Sequence, residues 1–512
     1  MHLLLRSLAL LPLLAQAPER LHLVVLHTND VHGQVQTRKA TWIDKQNPPQ
    51  VGGLPRLAAY VHRAREESAK RGDGLLVVDS GDWYQGTPEG LVDGGVGFVS
   101  ALAKVGYDAC AIGNHEFDRG LENLKLLLRD SAIPSVCANL TERSSGKPVE
   151  WTRPWRIANV RGHDAAGDWT LAVGLVGLLT TTTPVITHPD AGTLVFGDPS
   201  AALSSAQKEL AGKAEWILPL SHLGLETDRG LARAHPELQL IVGGHSHTYL
   251  AEGVREGPTC IVQTGSKASS IGRVDVWFER ATKKCVEVRA SVVDLREEPA
   301  EADRNAEVER RCAALVQRSD EPMREVIGEL AAPLVRTKDA LKSSSAGNFL
   351  ADIVREHTGA DIGLMNRGGI RCDVEAGPFT RRQIFELSPF DNRISVLELP
   401  GADLTEMLRR SVEDMAHSGL EVSGLTVEAG MGADGKRRFD GIKLGGKPVE
   451  ATAKYKVAMN SFLADGGDVY LDKQKDYARK DEALFVRELV ELWVAEHKRV
   501  TPASDERYVT RP

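Results

Sequence analysis

LHLVVLHTNDVHG, residues 21–33, decides how the front of this chain folds. Residues 23–26 form an unbroken apolar run, the pattern of a strand buried on both faces. The character then changes: Asp30 and His32 bring a carboxylate and an imidazole one residue apart. In an extended chain, residues two apart point the same way. The expectation is a strand that hands two metal-type ligands to one point beyond its carboxyl end. An Asp-x-His pair is common on its own, so repetition is what gives it weight.

Four more segments repeat the pattern. Gly81-Asp82 follows an apolar run at 75–78, Gly113-Asn-His-Glu-Phe-Asp118 one at 109–112, Ser221-His222 one at 216–220, and Gly243-Gly-His-Ser-His247 one at 238–242. Further strands are expected at 135–138 and 171–178. Helical patterns at 54–70 and 201–211 lie between, the latter opened by Asp198-Pro199, a cap residue followed by a first-turn proline. Such alternation implies a layered α/β domain, in which ligands bind beyond the carboxyl ends of the strands. Pro219 is an odd residue to find inside one of these runs.

Imidazoles, carboxylates and one amide oxygen are what two adjacent divalent cations need. A carboxylate has two oxygens and can bridge, which a neutral imidazole cannot do. The arrangement suggests one cation held by Asp30, His32, Asp82 and His247, and a second by Asp82, Asn114, His222 and His245. Zn, Mn, Fe and Co all accept such ligands. Two metals roughly 3.5–4 Å apart suit in-line hydrolysis of a phosphate ester. His115 is left without a metal role, and Asp118 lies close enough in sequence to orient it, so the two are assigned as a catalytic dyad.

At 512 residues the chain exceeds what one hydrophobic core serves, and 42% hydrophobic with 26% charged residues is an ordinary globular composition. A net charge of −8 without a pronounced Lys/Arg cluster argues against nucleic acid as a partner. Nothing in the sequence demands an obligate protein partner. Residues 1–17 carry Arg6, an apolar stretch at 8–14 and a close on Ala15-Gln16-Ala17, the order of a secretory signal cleaved after Ala17. No cysteine stands directly after that point and the C-terminus is polar, so a lipid anchor is not expected and the mature chain is expected in the periplasm or medium. Six cysteines permit fifteen pairings. Cys260 with Cys285 is the favoured pair, against six buried thiols.

Residues 294–324 are rich in Glu, Arg and Ala, with a helical rhythm at Val308, Cys312, Leu315 and Val316. They are expected to be a linker plus connecting helix. The divisions are a signal at 1–17, a dimetal domain at 18–295, the linker and helix at 296–325, and a second, smaller α/β domain at 326–512. In that domain, helices are expected at 345–357, 381–387, 402–417 and 482–497, and strands at 361–365, 394–399 and 456–458. Asn366-Arg-Gly-Gly-Ile-Arg371 joins a tight turn to an arginine whose planar fork suits phosphate oxygens. Phe390 and Phe462 sit in polar, turn-forming surroundings, where two facing rings could sandwich a nucleobase.

The blocks Thr28-Asn-Asp-Val-His32, Gly81-Asp82, Gly113-Asn-His-Glu-Phe-Asp118, Ser221-His222 and Gly243-Gly-His-Ser-His247 resemble, in order, those of calcineurin-like metallophosphoesterases, and specifically the exported 5′-nucleotidase/UDP-sugar hydrolase family. The likeness spans nearly the whole mature chain. It implies that Phe390 and Phe462 clamp a base, Asp468 bonds the ribose, Asn392 touches the base, and Asn366 and Arg371 contact phosphate. It also implies a domain rotation between loading and reaction. Lys342 stands where the family commonly has a phosphate-binding arginine, keeping the charge and losing the bidentate fork.

The expected activity is hydrolysis of nucleoside 5′-monophosphates, with nucleoside diphosphates or UDP-sugars as further substrates. A 2′,3′-cyclic nucleotide phosphodiesterase/3′-nucleotidase is the nearest rival. Such enzymes tend to lack the last Asp of Asn-His-Glu-Phe-Asp and the paired phenylalanines. A thiosulfate-oxidation hydrolase fits less well, because the His115 block is intact. A nucleotide-binding protein without turnover would be marked by missing ligands, and all seven are present.

Overall fold

The computed structural model describes residues 20–510, apart from 41, 45, 415–416 and 473–474. The expected signal at 1–17 lies outside the described residues. Two six-stranded sheets form the front half. In the first, Arg20–Thr28 lies parallel to Gly74–Asp79, which continues to Ala109–Ala111 and Ser135–Val136. On its other side the strand pairs antiparallel with Ser270–Glu279, which pairs with Cys285–Asp294. In the second, Gly167–Leu179, Trp216–His222, Leu240–Gly243 and Thr259–Val262 run parallel, edged by antiparallel Trp155–Asp164 and Val254–Glu256.

Side-chain alternation explains why these strands read as solid apolar runs. Leu23 and Val25 join Leu218, Leu220 and Val242 in a core shared by both sheets. Val24 and Leu26 point the other way, into a core with the helices Leu54–Arg71, Val96–Ala103 and Leu121–Ser131. Val176, Leu178 and Ile241 do the same for the helices Pro199–Leu210 and Leu225–Ala234. The order is therefore helix, sheet, sheet, helix, and every central strand is apolar on both faces. The ladder from Trp216–His222 to Leu240–Gly243 begins only at Leu220, so at Pro219 only Val176 stands beside the strand. A missing N–H is tolerated where one side has no partner.

The helix Ala306–Met323 buries Val308, Cys312 and Leu315 in the front core, so it packs as part of that half. Beyond it, a five-stranded sheet runs Leu420–Ser423, Ile362–Asn366, Lys454–Asn460, Arg393–Pro400, Arg479–Phe485. The helices Ser345–Thr358 and Val486–His497 cover one face, and Gly401–Glu413 with a four-stranded sheet covers the other.

Three expectations need correction. Residues 479–485 are an edge strand, so the last helix starts at Val486 and not at 482. The helix expected to reach 417 ends at Glu413. Cys260 and Cys285 do not pair; all six cysteines are thiols, four of them buried.

Candidate metal centre

All five ligand segments leave the carboxyl ends of strands at one edge of the two sheets. Asp30 and His32 follow Arg20–Thr28, Asp82 follows Gly74–Asp79, Asn114 follows Ala109–Ala111, His222 ends its own strand, and His245 and His247 follow Leu240–Gly243. The expectation that Asp30 and His32 share the side of an extended segment is wrong. Both have left-handed backbone, φ 52° and 50°, as do Asp82 (61°), His245 (73°) and His247 (52°). Such residues cost about 1–3 kcal/mol each and persist where the surroundings over-determine them. At these five residues the chain turns sharply and aims the side chain inward, whereas His222 points inward from the end of its strand.

One atom each from Asp30, His32, Asp82 and His247 lie within 4.8 Å of one another, and so do atoms of Asp82, His222 and His245. Asp82 belongs to both sets. His247 Nε2 is 3.2 Å from Asp30 Oδ1, and His222 Nε2 is 3.2 Å from Asp82 Oδ2. The Asn114 carbonyl oxygen lies 3.2 Å from His222 Nε2, which brings the amide to the second set.

The surrounding hydrogen bonds orient these atoms. His32 Nδ1 donates to the Gln85 carbonyl at 2.8 Å and His222 Nδ1 to the Ser80 carbonyl at 2.6 Å, leaving each Nε2 to face the cluster. Backbone carbonyls behind metal-binding imidazoles fix the tautomer in this way. Gly81, at φ 92°, admits the close crossing of two turns: a Cβ there would meet Gly113 N at 2.6 Å and His222 Nδ1 at 2.8 Å.

The sequence pattern gives Glu116 no role of its own, and the structure supplies one. Fully buried, it accepts hydrogen bonds from the backbone N–H groups of Asp82 (2.9 Å), Trp83 (2.6 Å) and Gly113 (2.7 Å), tying two ligand turns together. Burial, reinforced by Asp82, pushes its carboxyl up to about 8.

The donor set calls for positive charge. Burial would raise the Asp82 carboxyl, but the imidazoles of His222, His115 and His32 hold it well below the usual carboxylate range. Burial likewise opposes a charged His222, yet Asp82 drives that imidazole up to about 10. His32 and His247 set their Nε2 atoms 2.9 Å apart, and burial holds His32 well below the ordinary histidine value. With Nδ1 of His32 donating, its Nε2 carries a lone pair directed at a second imidazole nitrogen. Carboxylates and inward lone pairs at this spacing fit a divalent metal.

His115 stands beside the cluster, its Nε2 3.9 Å from Asp82 Oδ2. Its Nδ1 donates to Asp118 Oδ2 at 2.6 Å, and Thr187 Oγ1 donates to Asp118 Oδ1 at 2.9 Å. Burial lowers the imidazole, but Asp118 and Asp82 outweigh it and leave it raised.

The second half reaches into this site. The ring of Phe390 stacks on His115 with centroids 5.6 Å apart, and Arg371 lies over the other ring system of that pair, 5.7 Å from the Phe390 centroid. Arg371 Nη2 is also 3.4 Å from His32 Nε2. Asn366 accepts a hydrogen bond from Asn460 Nδ2 at 2.7 Å and bonds the side chain of Asp468, which burial raises to about 6. Phe462 packs against the core of the second half, and among the described residues the ring contacts of Phe390 are with His115 and Arg371. Asn392 is half-buried, and its carbonyl accepts from Val486 N. Lys342 is exposed and pairs at 3.8 Å with Asp339.

Residues 23–249 match the family model for calcineurin-like phosphoesterases, and residues 326–475 that for the 5′-nucleotidase C-terminal domain. The 5′-nucleotidase of Vibrio cholerae is 26% identical over 506 residues, covering 89% of this chain and 87% of that one. Protein UshA of Escherichia coli is 28% identical over 505 residues, covering 89% and 88%. The crystal structure of a 5′-nucleotidase precursor from Thermus thermophilus superposes with a TM-score of 0.83 at 27% identity, covering 96% of this chain and 100% of that one.

Proposed function

The chain belongs to the family that joins a calcineurin-like phosphoesterase domain to a 5′-nucleotidase C-terminal domain, and from that premise we propose that this metal-dependent phosphoester hydrolase converts nucleoside 5′-monophosphates to nucleoside and phosphate. Nucleoside diphosphates and UDP-sugars are secondary candidates. The observation that carries the reading is a pair of donor sets sharing Asp82, with the His115–Asp118 pair at their edge.

In this reading Asp30, His32, Asp82 and His247 hold one divalent cation, and Asp82, Asn114, His222 and His245 hold the other. Bound there, the cations supply Lewis acidity and neutralise charge during in-line attack on phosphorus. His115, its charged form favoured by Asp118, donates a hydrogen bond from Nε2 to the phosphoryl group as negative charge develops. Arg371 adds a planar fork on the same side.

Residues 18–295 then carry the chemistry, 296–325 connect, and 326–512 grip the nucleoside through Phe390, Asn392, Phe462 and Asp468, with Asn366 on the phosphate side. Lys342, turned toward Asp339, would contribute charge only at a distance. The order of residues 1–17 supports export. Among the described residues, no helix is long and apolar enough to cross a membrane.

The test is phosphate release from AMP, 3′-AMP, cyclic AMP, ATP and UDP-glucose by protein loaded with Mn, Zn or Co. Fastest turnover of AMP supports the proposal. Preference for 3′-AMP or cyclic AMP transfers it to the phosphodiesterase class, and tight AMP binding without release makes the chain a binding protein.

A further inference from the structure

The loop after strand Gly167–Leu179 is fastened by three hydrogen bonds that no motif predicted. At its root, Thr180 N donates to the carbonyl of His222 at 3.1 Å. In its middle, Thr183–Val185 comes within 8 Å, Cα to Cα, of the turn Gly467–Val469 in the second half. Farther on, Thr187 Oγ1 donates to Asp118 Oδ1 at 2.9 Å, while Asp190 Oδ2 accepts from Leu121 N at 2.8 Å. One loop therefore bonds a candidate ligand residue and the carboxylate behind His115, and it passes near the turn that carries Asp468.

The turn on the far side is itself held in an unusual shape. Asp468 and Val469 both have left-handed backbone, φ 55° and 52°, and for a β-branched residue that is an outlier. Strain of this kind persists where neighbouring structure fixes it.

We propose that Thr187 is a positioning residue for the hydrolysis, fixing the Asp118 carboxylate so that its other oxygen holds the His115 ring at the phosphoryl group. Asp118 has two oxygens with divided duties: Oδ2 accepts from His115 Nδ1 and Oδ1 from Thr187. Without the hydroxyl, the carboxylate is free to rotate about its last bond and the imidazole loses its fixed angle. Phe390, stacked on the same ring, restrains its plane but not the direction of its Nε2. The inference rests on His115 and Asp118 acting as the dyad proposed above.

The experiment compares Thr187→Val, Thr187→Ser, His115→Ala and the Thr187→Val/His115→Ala double variant in the full metal-loaded chain, with AMP as substrate. Thr187→Val should lower kcat about tenfold or more, the scale of losing a hydrogen bond to a charged group, with KM and the melting temperature little changed. Thr187→Ser, which restores the donor, should recover most of that loss. In the His115→Ala background, Thr187→Val should have no further effect. A slow His115→Ala with Thr187→Val at full rate overturns this inference alone. Equal losses in the Val and Ser variants overturn it too, because they assign Thr187 to packing. A His115→Ala variant at wild-type rate removes the dyad itself and this inference with it.

Discussion

Asp82 is the residue on which the site turns. It is the one carboxylate common to both donor sets, its φ is 61°, and its backbone N–H is held by Glu116. His115→Ala should reduce kcat by about 10²–10⁴, the range for a positioned acid or base, and change KM little. A kcat equal to wild type would take His115 out of the reaction. Glu116→Gln puts an amide group opposite one of three backbone N–H donors and should cost roughly 1–3 kcal/mol of stability, with weaker metal uptake. Thermal unfolding and a cation titration on the same samples measure both, and a variant normal in each would deny Glu116 its role. The candidate ligands stand out in the sequence because Asp, His and Asn lie within a few residues of the ends of apolar runs. Glu116 does not, since two of its three partners are backbone N–H groups from 33 and 34 residues away, and Thr187 carries no motif at all.

Among the elements, central strands announced themselves and edge strands did not. Residues 23–26 are buried against a second sheet on one face and helices on the other, which leaves an unmistakable apolar run. The edge strand Arg479–Phe485 instead begins Arg-Lys-Asp-Glu, charges that protect an exposed edge from pairing elsewhere, and its second half, from Glu482 on, reads as the first turn of the helix behind it. The doubled sheet was hidden for another reason: both faces of each strand are apolar, so the pattern does not reveal whether a helix or a sheet covers them.

At the outer end of the first sheet, His22 lies between Asp275 (2.9 Å) and Asp73 (2.8 Å) and stacks on Trp277. The hydrogen bond with Asp275, followed by the contacts with Asp73, raises its imidazole above the ordinary value of 6.5 in spite of burial. Its stabilising contribution is therefore complete below 6.5 and is lost as pH rises through the raised folded value. His22→Gln should flatten the decline of melting temperature on the alkaline side of 6.5. A slope identical to wild type would show that this pair does not set the strand's pH response.

For the whole molecule, the second half is held onto the first by a pair that should control closure. Arg382 donates to both oxygens of buried Glu89, at 2.6 and 3.0 Å, and Gln85 Nε2 reaches the Pro389 carbonyl at 3.2 Å. Arg382→Ala leaves a buried carboxylate without its charged partner, with only Gln36 still donating to it, a loss of about 3–5 kcal/mol that hydration can relieve if the halves separate. Small-angle scattering should then show a larger radius of gyration with each core still folded. An unchanged profile would mean that other contacts hold the halves together.

In the proposed function, seven side chains from five strand ends would hold two cations through a shared Asp82. Calorimetric titration of metal-free protein with Mn²⁺ tests it most directly, alongside Asp82→Asn. The account predicts two equivalents bound per chain, and severe loss at both sites in the variant. A single equivalent in the wild type, or two retained at full affinity in Asp82→Asn, would contradict it.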